Sequence, residues 1–180
     1  ETPKEEKIDV PPSSDYIRPS IYDEVLAVLM AGENVFLHGP AGCGKSRMGK
    51  EFARQLDTPY YDKSFSGGVR YSQVFGTTEI TGGNTQWTCS DLLRWVQEPC
   101  VIVLEEWLSA DDDIKVGLNS ILDKGTRSIT TPTGKIRVHR DCHIMATANG
   151  NGRQKSPQYG AAQRTDDSTL DRFVSYHMDY

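Results

Sequence analysis

The chain has 180 residues, 37% of them apolar and 25% charged, which suits one soluble α/β domain with a sizeable core. A net charge of −5 argues against a protein that coats nucleic acid through overall charge, and the apolar runs are strand-sized, so no membrane span is expected. The acidic, polar start is unlike a signal peptide, and Cys43, Cys89, Cys100 and Cys142 lack metal-ligand spacing, which points to free thiols in a cytoplasmic protein and against zinc.

Residues 1–15 are charged and then proline-rich, an extended or mobile lead-in; order is expected over 16–180. The chain opens on Glu1 rather than a methionine and stops at Tyr180, so it is expected to be a piece of a longer protein. Ser20 with Asp23 resembles a capping box, and Ile21, Val25, Leu26 and Leu29 share one face of a helix ending at Gly32. Asn34 to His38 reads as a short buried strand.

That strand delivers Gly39-Pro40-Ala41-Gly42-Cys43-Gly44-Lys45-Ser46, a complete phosphate-binding loop. Its glycines let backbone N–H groups converge on phosphate oxygens, Lys45 reaches the β/γ-phosphates, and Ser46 offers a hydroxyl to Mg²⁺ at a helix N-terminus. The helix runs from Lys45 to Leu56 with Met48, Phe52, Ala53 and Leu56 on one side, and Arg47 joins the nucleotide-binding set beside the loop.

Thr58 to Tyr61 suggests a second strand, and Tyr71 to Phe75 carries no clear signal. Strand-favouring residues on either side of Gly82-Gly83-Asn84 indicate a hairpin. Ser90 or Asp91 can cap a helix from Leu92 to Glu98, which Pro99 breaks before the buried strand Cys100 to Leu104. This alternation of strand and helix indicates parallel βαβ units.

The buried strand ends in Glu105-Glu106, carboxylates at the edge where open α/β sheets bind ligands. The pair reads as a Walker B motif: Glu105 would hold Mg²⁺ through water and Glu106 would orient or deprotonate the attacking water. Two solvated glutamates at a strand end are the plainer alternative.

With Met145-Ala146-Thr147-Ala148-Asn149 closing a further strand and Thr169-Leu170-Asp171-Arg172-Phe173 near the end, the chain resembles the AAA+ ATPases. Within them it is similar to the MoxR-type branch, with its CobS-like and CbbQ/NorQ-like proteins; Asn149 to Gly152 and Tyr159-Gly160 are similar to the CobS-like subgroup. The resemblance implies a P-loop NTPase fold, a three-layer α/β/α sandwich around a mainly parallel five-stranded sheet with two inserted β-hairpins. It implies Mg²⁺-dependent ATP hydrolysis in a homo-oligomeric ring, hexameric by family habit, that remodels a client protein or complex. Asn149 matches the family's first sensor. Arg172 matches its finger, given to the neighbouring subunit's nucleotide, although a surface arginine paired with Asp167 or Asp171 is the competing reading; Arg153 and Arg164 are weaker trans-acting candidates. Two departures stand out: Glu105 replaces the usual Asp, and the helical lid with its second sensor has no room after Tyr180, so hydrolysis by this chain alone is expected to be weak.

Ser109 is the expected cap of a helix over residues 111–124 whose aspartates suit the positive end of its dipole. Beyond it, Thr131-Pro132-Thr133-Gly134 centres a second hairpin, and residues 124–140 hold Lys124, Arg127, Lys135, Arg137, His139 and Arg140 without an acid. A nucleic-acid contact, a loop gripping a polypeptide, and a solvated hairpin protecting an edge all fit that charge. Trp87 on the first hairpin fits either a pore loop or the core. A nucleic-acid-directed motor and a nucleotide-stabilised assembly module with little hydrolysis are the alternatives to a client-remodelling ATPase. No guanine-recognition motif of the Asn/Thr-Lys-x-Asp kind occurs, which leans toward ATP and leaves GTP as the alternative.

Overall fold

A computed structural model describes residues 15–150 and 170–180. Helix α1 (Tyr22–Met30) forms because Tyr22, Val25, Leu26 and Leu29 fall on one buried stripe. Its N-cap is Ile21, without a side-chain hydrogen bond, so the box read at Ser20 and Asp23 does not form. Strand β1 (Val35–His38) leads through the glycine loop into α2 (Lys45–Gln55). The second strand lies slightly later than expected, as β2 (Tyr60–Ser64), and the unassigned stretch is a short helix, α3 (Tyr71–Phe75).

The first hairpin, β3 (Thr77–Thr81) and β4 (Asn84–Thr88), turns on Gly82 and Gly83, both at positive φ. Helix α4 (Asp91–Trp95) is capped by Ser90, whose hydroxyl accepts from the Leu93 amide at 3.2 Å. Strand β5 (Cys100–Glu105) is followed by a 3₁₀ turn, Trp107–Ser109, and α5 (Asp112–Leu122). Ser109 belongs to that turn and Asp111 occupies the cap position without a side-chain bond, because the backbone needs one tight turn to leave β5 before a helix can start. The second hairpin is β6 (Ser128–Thr131) with β7 (Gly134–Arg137), followed by β8 (Cys142–Ala148) and β9 (Val174–His177).

The five central strands run β2-β5-β8-β1-β9, and every pairing is parallel. This is the α/β fold expected, with both hairpins as separate two-stranded sheets. Alternation along the strands builds two cores. Val101, Val103, Val35, Leu37 and Met145 pack on α1 and α2, while Ile102, Leu104, Phe36, Ile144 and Ala146 pack against α3, α4, α5 and the 3₁₀ turn. Among the described residues no helix is long and apolar enough to cross a membrane.

Helix α2 sits close on the sheet because residue 49 is glycine: a Cβ there would lie 2.5 Å from Val103 Cγ2 and 3.4 Å from the Tyr60 ring. Gly49→Ala should therefore overpack this layer and lower stability by about 1–3 kcal/mol. Denaturant unfolding would register it as a lower midpoint at unchanged slope.

Candidate nucleotide site

Parallel strands put the C-terminal ends of β1, β5 and β8 side by side, the edge where such sheets take ligands. From β1 comes the loop Gly39 to Ser46. Gly42 and Gly44 adopt left-handed backbone (φ 84° and 96°), and Gly44 is the residue from which α2 starts. Gly39 is fixed from behind: a Cβ there would fall 1.8 Å from the Met178 carbonyl oxygen, just past the end of β9.

Lys45 is 7% exposed, and its ammonium donates to the carbonyls of Gly39 (3.0 Å) and Pro40 (2.8 Å) and to Asn149 Oδ1 (3.3 Å). The other end of the Asn149 amide, Nδ2, donates to Glu106 Oε1 at 2.6 Å. Three residues from three strand ends, remote in sequence, thus form one chain from cation to amide to carboxylate. A phosphate held by the loop would replace the Gly39 and Pro40 carbonyl oxygens around the Lys45 ammonium with phosphate oxygens.

Glu105 and Glu106 part company at the strand tip. Glu105 continues the phase of Val101 and Val103, the residues packed on α2, and so lies on the side of the phosphate helix. Glu106 has left-handed backbone (φ 53°, ψ 40°), costly for a non-glycine residue by roughly 1–2 kcal/mol. The neighbour that holds it there is Trp107, fully buried, with its ring 5.5 Å from Phe65 and 6.1 Å from Phe173. A strained residue whose carboxylate is turned onto Asn149 is a mark of a functional position. Nothing in the sequence pattern foretold that backbone.

Among the described residues no group of three or more His, Cys, Asp or Glu side chains is placed to hold a metal unaided. A hydroxyl at Ser46 and a carboxylate at Glu105, with phosphates completing the shell, is an oxygen set that fits Mg²⁺, which keeps few protein ligands. Next to Glu105 on the same side, the Asp62 carboxyl is pushed above its usual range, first by partial desolvation and then by Glu105, with Lys50 opposing. The second expected nucleotide contact, Arg47, is exposed and places its guanidinium 5.5 Å over the Tyr16 ring, whose phenol is pushed up to about 12 mainly by burial.

Arg172 is not at this edge. Val174 pairs with Val35 at the start of β1, so Arg172 precedes β9 at the opposite end of the sheet, with its Nε buried. There it adds to the field at Asp123, whose carboxyl is held low chiefly by hydrogen bonds from Thr126. Arg153, Arg164, Asp167 and Tyr159-Gly160 lie outside the described residues.

Two basic side chains around the second hairpin have acidic partners. Lys124 pairs with Glu33, Arg140 with Asp141 at 3.2 Å, and Arg127 Nη2 donates to the Cys142 carbonyl at 2.8 Å. His139 Nδ1 accepts from the Asp141 amide. Lys135 and Arg137 are the exposed charges of β7, and the Lys124 and Arg140 side chains stay 61% and 89% exposed beside their partners. Trp87 on the first hairpin is half-buried against Gly76, where a Cβ would meet its ring at 2.9 Å, and it packs on the core.

The family described as AAA domain (dynein-related subfamily) matches residues 34–173. The chain is 30% identical to Protein NorQ of Paracoccus denitrificans, a match covering 88% of this chain and 58% of that protein. It is 27% identical to the denitrification regulatory protein NirQ of Pseudomonas aeruginosa, over 83% of this chain and 55% of the relative. It is 25% identical to the gas vesicle ATPase GvpN1 of Halobacterium salinarum, over 84% and 48% respectively. The chain therefore spans about half the length of the curated relatives it matches. A crystal structure from Cytophaga hutchinsonii, provisionally assigned as an ATPase, shares the fold with a TM-score of 0.64 at 17% identity, covering 89% of this chain and 46% of that one.

Proposed function

Because the chain belongs to the AAA domain family, dynein-related subfamily, we propose that it binds MgATP and hydrolyses it at the interface between copies of itself in a ring, acting on a client protein or complex. The observation that carries this reading is the continuous path Lys45–Asn149–Glu106, which joins a phosphate-binding cation to a carboxylate suited to water activation. In it Lys45 holds the triphosphate, Glu106 takes the proton of the attacking water, and Asn149 fixes the carboxylate relative to the γ-phosphate. Ser46 and Glu105 would hold Mg²⁺, which supplies neutralisation of the phosphate charge. Arg172 supplies the neighbour's site with positive charge in the transition state.

Relatives named for roles as different as denitrification regulation and gas vesicles favour one engine serving different clients.

The reading is tested by turnover at rising protein concentration. Specific activity should climb steeply as subunits assemble, and Lys45→Ala should abolish both activity and nucleotide binding by calorimetry, since the cation built into the loop is removed while the phosphate charge remains. Unchanged MgATP affinity in Lys45→Ala, or activity independent of concentration, would contradict it.

A further inference from the structure

We infer that Asn34 is a positioning residue for Arg172; this rests on the reading of Arg172 as the charge donated to a neighbouring site. Asn34 immediately precedes β1 and is 1% exposed. Its Nδ2 donates to two carbonyls at once: that of Leu122, at the end of α5, at 2.7 Å, and that of Arg172 itself at 3.1 Å. Its own carbonyl accepts from the Val174 amide at 2.9 Å. One buried residue thus grips the main chain at Arg172 and again two residues later, and ties it to the end of a helix.

The other polar atom of the side chain, Oδ1, is buried with no hydrogen-bond partner among the described residues. Leaving such an acceptor unsatisfied opposes folding, and an apolar side chain of similar size would remove that penalty. What an apolar residue could not do is hold the Leu122 and Arg172 carbonyls together. Leu122 closes the helix that begins just past Glu106 and Trp107, so α5 spans from the catalytic edge of the sheet to its base, and Asn34 fixes the Arg172 segment to the far end of it. A finger must be aimed within a fraction of an ångström to act on a phosphate in another subunit, and a loosened main chain at residue 172 would lose that aim.

The test is Asn34→Leu in the assembled protein, a near-isosteric change that removes both donors. The expected result is a folded, assembling protein with MgATP affinity within about twofold of the parent and kcat lowered at least tenfold. Mixed with Glu106→Gln chains, which have a dead site and an intact Arg172 segment, Asn34→Leu chains should regain activity, because their own sites then receive a well-aimed arginine. In an Arg172→Ala background the same substitution should add almost nothing. Parent-like kcat, or a loss that mixing fails to recover while Arg172→Ala chains are recovered by the same partner, would overturn the inference and leave the role of Arg172 standing. Failure of Arg172→Ala itself to be recovered would instead remove the reading beneath it. Should Asn34→Leu not fold, Asn34→Ala is read in the same mixtures; loss of folding in both would overturn the inference by making the residue a folding requirement.

Discussion

Glu106→Gln should bind MgATP like the parent and lose turnover by roughly 10²–10⁴-fold, the range expected when a positioned general base is removed. The amide keeps the size of the side chain and still offers Asn149 an oxygen to hydrogen-bond, so the 2.6 Å contact and the left-handed turn at residue 106 can both survive. What is lost is the negative charge and with it the basicity. Glu105→Gln should behave differently, raising the Mg²⁺ concentration needed for activity, because Glu105 shares the α2-facing phase of Val101 and Val103 while Asn149 bonds Glu106. Single-turnover hydrolysis across a Mg²⁺ series separates the two variants. If Glu105→Gln were inert at saturating Mg²⁺ and Glu106→Gln nearly normal, the two carboxylate roles would be exchanged.

The parts of this protein that were legible in its sequence are those written by local chemistry. The loop Gly39 to Ser46 demands glycines at fixed spacing, and β5 is a continuous apolar run because both of its faces are buried. Short elements and remote pairings were not legible. Helix α3 has only five residues, too few for a helical period, and Phe75 is seated by Gly117, where a Cβ would come within 2.5 Å of the ring. The partner of Lys124 was hidden for a related reason: Glu33 lies far away in the chain. Asn34 gave no signal at all, because its partners Leu122 and Arg172 are brought to it only by the closing of the sheet.

Arg172→Ala should leave the MgATP affinity of a subunit nearly unchanged and cut turnover of the assembly by on the order of 10³–10⁵, the scale of related arginine fingers. The sheet itself argues for action between subunits. Arg172 precedes β9, whose four residues run alongside β1 toward the phosphate loop, so at about 3.3 Å per residue the arginine's main chain stands well over 10 Å from its own loop. A side chain anchored at the base of the sheet, with Nε buried, does not cross that distance to its own site. The decisive measurement mixes subunits. Glu106→Gln chains cannot hydrolyse but carry a sound Arg172; Arg172→Ala chains have a sound site and no arginine to give. Where an Arg172→Ala site faces a Glu106→Gln neighbour, both groups meet again, so activity should return in mixtures and follow the fraction of such interfaces as the ratio is varied. A purely structural arginine, holding only the field around Asp123, would leave mixtures as inactive as their components, and that result in chains shown to co-assemble would end the assignment.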